Sequence, residues 1–188
     1  MKKTFFKLTL LAIITAAFFS SCKKDDDQID VPPPVVNEPE VITTLTVHFI
    51  DSSNTSNTVT ATFRDPDGDG GLSYDIFDTI RLANNKTWYA EVILLNETTS
   101  PVDTISNEVL EEANDHLFCF SPNGTSATVN ITDLDGNSLP IGLLSKWKTT
   151  STGTGTMQIV LKHQPGIKDG NCTPGDTDID ITFQVEIQ

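Results

Sequence analysis

From Val41 onward apolar residues recur at every second position, and each such run stops at a cluster of Asp, Gly, Asn, Thr or Pro. A period of two sends alternate side chains to opposite faces of an extended strand, whereas a helix requires 3.6. Leu45, Val47 and Phe49 share one face, with Thr44, Thr46 and His48 opposite. Val59, Ala61 and Phe63 alternate next. Trp88, Ala90, Val92 and Leu94 follow, and the apolar Tyr89, Ile93 and Leu95 between them predict a strand buried on both faces. Ala127, Val129 and Ile131 form another run, as do Ile141, Leu143, Ser145 and Trp147. Met157, Ile159 and Leu161 precede His163. The final run sets Ile179, Ile181, Phe183, Val185 and Ile187 inward and Asp178, Asp180, Thr182, Gln184 and Glu186 outward.

The interruptions DPDGDGG, ANNK, DLDGN, STGTG and GNCTPGD are turn chemistry. About eight short strands of this kind predict an all-β fold, an antiparallel immunoglobulin-like β-sandwich. Only Ile105–Asn114 has the character of a short helix, with Ser106 as its N-cap. Trp88, Tyr89 and Trp147 belong to the core or to cross-strand pairs rather than to a ligand platform.

The first 40 residues are of a different kind. Lys2, Lys3 and Lys7 precede an apolar run from Leu8 to Phe19, and Ser20 and Ser21 stand before Cys22. This is a secretory signal over residues 1–21 that ends at a cysteine, and it resembles a bacterial lipobox in which Cys22 carries the lipid. The apolar run is too short to span a bilayer, which takes about 20 residues. Residues 22–40 are charged and hold Pro32–Pro34, a stiff, extended and disordered tether for the domain at 41–188. The Lys-then-Asp run after Cys22 resembles the surface-export signal of Bacteroidota lipoproteins. It implies an outer-membrane, cell-surface location, the periplasmic leaflet being the alternative. Losing the three signal lysines takes the formal charge from −14 to −17. Acidity on this scale excludes nucleic acid as a partner and leaves membrane attachment to the lipid on Cys22.

Outside the cytoplasm Cys119 and Cys172 are the two thiols left after Cys22, and they are a candidate disulfide. Two candidate ion sites stand out. Asp65, Asp67 and Asp69 occupy alternate positions of a glycine-rich turn, a spacing that gathers oxygens around Ca²⁺, and Asp75 is placed to add a carboxylate. The same residues also suit a plain acidic β-turn. Asp133–Asn137 is a shorter echo that an Asp-Gly hairpin explains. Glu111, Glu112, Asp115, His116 and His163 combine imidazole with carboxylate, the donor set for a transition metal. The alternative there is a solvated helix face and exposed histidines.

There is no GxSxG elbow, HExxH pair or phosphate-cradling glycine loop, so no enzymatic activity is expected. The order VITTLTVHF, RDPDGDGG, EEANDHLF, LKHQP and TDIDITFQVEIQ resembles a group of small flavobacterial cell-envelope lipoproteins of unassigned function. They are commonly labelled type 1 periplasmic binding fold proteins. That label describes a two-lobed α/β fold, and this chain lacks the repeated strand–helix units it requires. The resemblance implies a secreted lipoprotein, and Asp-Thr-Ile at 78–80 and 103–105 resembles an O-glycosylation motif of the same phylum, centred on Thr79 and Thr104. Three readings follow. The first is a non-catalytic, lipid-anchored module that binds a ligand or partner beside an outer-membrane receptor, with a structural Ca²⁺. The second captures a transition metal through His116 and His163. The third is a structural or adhesive surface module.

Overall fold

The computed structural model describes residues 40–68, 71 and 73–188. The signal, Cys22 and the tether up to residue 39 lie outside the described residues, as does Asp69 of the acidic turn.

The alternating runs fold into ten strands in two open sheets. One sheet has the order β3 (Ile76–Phe77), β2 (Asn54–Arg64), β1 (Thr44–Asp51), β5 (Thr87–Leu95), β8 (Leu144–Lys148) and β7 (Thr128–Ile131). The other has the order β4 (Thr79–Leu82), β10 (Asp176–Ile187), β9 (Gly153–His163) and β6 (His116–Asn123). The count exceeds eight because β3 and β4 are short pieces of one segment that leaves the first sheet at Phe77 and joins the second at Thr79. Pairing is antiparallel throughout except between β10 and β4, which run parallel. The molecule is an all-β sandwich.

The core is the space between the inward faces. Leu45, Val47 and Phe49 of β1, Ala61 of β2, and Trp88, Ala90, Val92 and Leu94 of β5 are buried on one side. Met157, Ile159 and Leu161 of β9 and Phe183, Val185 and Ile187 of β10 are buried on the other. Each large side chain so removed from water contributes about 1.5–3 kcal/mol. Trp147 packs edge-on against Phe49 with ring centroids 5.0 Å apart, and its indole N–H donates to Ser145 Oγ at 2.9 Å. That bond explains why a serine occupies an inward position of β8.

β5 is buried on one face only. Tyr89 is exposed beneath the ammonium of Lys146, and Ile93 and Leu95 are half-buried. The single helix among the described residues, α1 (Ile105–Glu111), is shorter than its sequence pattern and packs on β5 through Ile105 and Val109. Its N-cap is Thr104, not Ser106. Ser106 lies inside the first turn, and its hydroxyl accepts the Leu94 N–H at 2.8 Å, fastening the helix to the sheet edge-on rather than capping it.

Leu117 and Cys119 alternate with the inward residues of β6 and yet are buried. The loop 164–175 is joined to this strand by the disulfide Cys119–Cys172, 53 residues apart in sequence. It is also pinned by Lys168, whose ammonium bonds the Ala113 carbonyl at 2.7 Å and pairs with Asp135 at 2.9 Å. Both charged side chains are buried, 2% and 0% exposed. Burial works against the charge on Asp135, but Lys168 and the N–H groups of Leu139 and Asn137 hold its carboxyl below the ordinary range. Asp135 therefore organises the 133–140 turn instead of serving as a simple hairpin residue.

Candidate metal centre

The inward ladder of the β6–β9 pair ends in histidine on both strands. Phe120 faces Ile159, Phe118 faces Leu161, and the next rung is His116 opposite His163. Cross-strand partners on one face stand about 5 Å apart at Cβ, and here the two imidazoles stack with centroids 4.4 Å apart and planes 17° from parallel. They are core residues: His116 is 0% exposed and His163 8%. The expectation of exposed histidines fails because inward alternation continues one rung beyond the apolar residues.

Three elements close over this rung. The residue after α1, Glu112, accepts a hydrogen bond at its carbonyl from His116 Nδ1 at 3.1 Å. A carbonyl can only accept, so Nδ1 carries the proton and Nε2 presents a lone pair. The α1–β6 turn is held by Gln164, whose N–H donates to the Asp115 carbonyl at 2.6 Å. The third element is the start of β10. Asp176 faces His163 and Thr177 faces Lys162, but Ile179 faces Leu161, so Asp178 is an extra residue in a β-bulge. A bulge re-aims one side chain against the strand's alternation. Asp178, outward by period, has its carboxylate buried at 1% exposure, with Oδ2 3.9 Å from His116 Nε2.

The result is a cluster of buried polar atoms lacking partners. His116 Nε2, His163 Nδ1 and Asp178 Oδ2 have no hydrogen bond among the described residues. Each such atom costs about 1–3 kcal/mol when left dry. Burial lowers the affinity of His116 for a proton, and the neighbouring His163 adds to this against the Glu112 carbonyl. Burial likewise raises the pKa of Asp178, assisted by Asp176 and opposed by His163 and Lys162. Both shifts favour the uncharged forms across the 3.9 Å that separates His116 Nε2 from Asp178 Oδ2.

One ligand atom from each of Glu112, His116 and His163 falls within 4.8 Å of the others. These are members of the sequence's second candidate set. Glu111 and Asp115 are not in the group; Asp115 Oδ1 accepts the Gly166 N–H, and Glu112, unlike the two histidines, is exposed. Asp178 lies outside that group; the sequence set it outward, and only the bulge turns it inward, toward His116.

The acidic turn is arranged otherwise. Asp75 is ion-paired with Arg64, which also forks onto Glu97 at 2.7 Å. Gly68 takes a positive φ of 68°, which favours glycine, and a Cβ at Gly71 would require the Asp67 side chain to move. A cleft of about 360 Å³, lined by Ile42, Phe63, Asp65, Gly68, Asp178 and Asp180, separates this turn from the β10 bulge. Thr79 opens β4 and Thr104 caps α1, both half-buried. No protein-family model matches the chain, and no curated protein or solved structure is similar to it.

Proposed function

We propose that this chain is a non-catalytic, lipid-anchored envelope protein that captures a divalent transition metal at Glu112, His116 and His163. The observation that carries the reading is the buried, stacked histidine rung with bare ring nitrogens and a carboxylate within 4.8 Å. Imidazole donors suit zinc, copper, nickel or iron, whereas Ca²⁺ requires six to eight oxygens. The strongly acidic body and the cleft lined by Asp65, Asp178 and Asp180 favour the approach of cations. The signal ending at Cys22 and the disulfide Cys119–Cys172 both suit an oxidising compartment outside the cytoplasm.

Titration of the full chain with Zn²⁺ against a chromophoric chelator tests the site. Tight one-to-one binding is expected in the unaltered chain and a loss of at least a hundredfold in His163→Gln and His116→Gln. Equal affinity in all three overturns the reading. For the anchor, Cys22→Ser is expected to move the protein from the membrane fraction to the soluble one.

A second reading, capture of an apolar ligand or partner beside an outer-membrane receptor, is favoured by a groove of about 370 Å³ between α1 and the sheet. Val92, Ile93, Leu110, Leu143 and Leu144 line it. Leu110→Glu would abolish such binding without altering zinc affinity.

A further inference from the structure

We infer that Asp178 is the fourth protein ligand of this metal, making the centre a two-histidine, two-carboxylate site with Glu112 at its solvent-exposed side. The inference rests on the transition-metal reading above and adds to it a residue that the sequence set aside as outward-facing.

Three observations converge on Asp178. Its side chain is 1% exposed and its Oδ2 has no hydrogen-bond partner, although 3.9 Å away His116 Nε2 is equally buried and equally bare. A separation of 3.9 Å exceeds any hydrogen bond. It is close to the spacing of two donors on one tetrahedral zinc, where bonds of about 2.0–2.2 Å put nitrogen and oxygen roughly 3.4 Å apart. A contraction of about half an ångström brings both atoms onto one ion. Second, the bulge at Thr177–Asp178 is what turns the carboxylate inward. With unbroken alternation Asp178 would face water on the outer side of β10 and Ile179 would still be inward. Bulges next to functional sites commonly re-aim a side chain in this way.

Third, a second anion improves the charge balance around the two buried imidazoles. A divalent ion with two neutral imidazoles and one carboxylate carries a net positive charge, which is costly to bury. Adding Asp178 brings the centre to neutrality with Glu112 as the other anion. The donor set is then two nitrogens and two oxygens, with the His116 orientation set by its Nδ1 bond to the Glu112 carbonyl at 3.1 Å. Such an outer hydrogen bond is what orients metal-bound histidines in general. Tetrahedral coordination of this kind selects zinc-like ions over calcium and magnesium.

The test compares Asp178→Asn with His163→Gln in the full chain, using Zn²⁺ alone as the probe. Asp178→Asn keeps the size of the side chain and removes the anionic donor, so about a hundredfold weaker Zn²⁺ binding is expected, with circular dichroism unchanged. Wild-type affinity in Asp178→Asn together with loss in His163→Gln overturns the fourth ligand and leaves the two-histidine reading standing. Wild-type affinity in both overturns the reading beneath it. A crystal of the unaltered chain grown with Zn²⁺ supplies an independent measure. Asp178 Oδ2 within about 2.2 Å of the ion supports the assignment, and Oδ2 beyond hydrogen-bond distance from it overturns the assignment.

Discussion

Two aspartates have side chains buried at opposite ends of the sandwich, and their hydrogen-bond partners and counter-charges differ. At one end Asp51, 1% exposed, accepts from the Ser53 N–H at 2.8 Å, the Ser53 hydroxyl at 2.6 Å and the Asn57 amide at 3.2 Å. The Lys86 ammonium stands 2.9 Å away. Ser53 and Lys86 are the main causes that hold its carboxyl well below the ordinary carboxylate range. At the other end Asp178 has the same degree of burial, no donor at Oδ2, and a pKa pushed the opposite way by desolvation. One end has its own protein counter-charges and is complete. The other holds lone pairs facing one another, the arrangement a cation completes.

The largest effect expected concerns the scaffold that keeps the histidine end in place. Converting Cys119 and Cys172 together to Ser releases a 53-residue loop closure and should lower stability by about 2–4 kcal/mol, read by chemical denaturation. Amide exchange should quicken at the His116–His163 rung and remain slow near Asp51. Equal loosening of both ends would break the comparison. Next in size, Zn²⁺ at a hundred times its dissociation constant should stabilise the chain by about 2.7 kcal/mol and do nothing for His163→Gln.

A pair of isosteric changes then separates the two carboxylates directly. Asp51→Asn should lower the melting temperature, because it leaves the Ser53 and Lys86 donors without their anion. Asp178→Asn in the metal-free protein should leave it within about 1 kcal/mol of the unaltered chain or above it, since a bare buried oxygen is exchanged for an amide. A marked loss in Asp178→Asn without metal would show that the carboxylate is satisfied by the protein alone.

The smallest effect is the pH dependence, measured by denaturation in the presence of a chelator. His116 is lowered by burial, so the unfolded chain takes up a proton near pH 6.5 before the folded chain does. Stability should therefore fall as pH drops below about 6.5. Asp178 is raised, so the folded chain keeps its proton above the ordinary value near 3.9, and its contribution declines as pH rises from there. Asp51 is lowered, and its stabilisation is present above about 3.9 and lost in more acidic solution. The two ends thus titrate in separate windows, and saturating Zn²⁺ should steepen the fall below about 6.5, because the ion holds the imidazoles unprotonated in the folded chain.

Much of the fold was legible residue by residue. Alternation such as Leu45, Val47, Phe49 specifies an extended segment and its buried face, because the period of side chains along a strand is set by backbone geometry alone. The same reasoning predicted burial on both faces of β5, yet Tyr89 is exposed at 49% and stands in a cross-strand pair with Lys146. An aromatic ring with a polar tip is compatible with either face, and Lys146 across the strand decided for solvent. Of the site, the sequence identified His116, His163 and Glu112 as chemically suited but could not show that they meet. Their meeting depends on the β6–β9 register, which pairs residues 47 positions apart. Asp178 was illegible for a sharper reason: a one-residue bulge shifts the alternation at one place and leaves no compositional trace.

What the chain determined by itself is the class of its elements, since strand period, turn chemistry and charge are local properties. Tertiary structure alone decided which polar groups share the buried end. That choice is made by register, by the bulge at Thr177–Asp178 and by the Cys119–Cys172 clip, each a relation between distant residues. Burial is likewise a property of the assembled sheets. It is burial that leaves a carboxylate oxygen beside a histidine without a partner and raises its pKa, where a surface aspartate would be solvated.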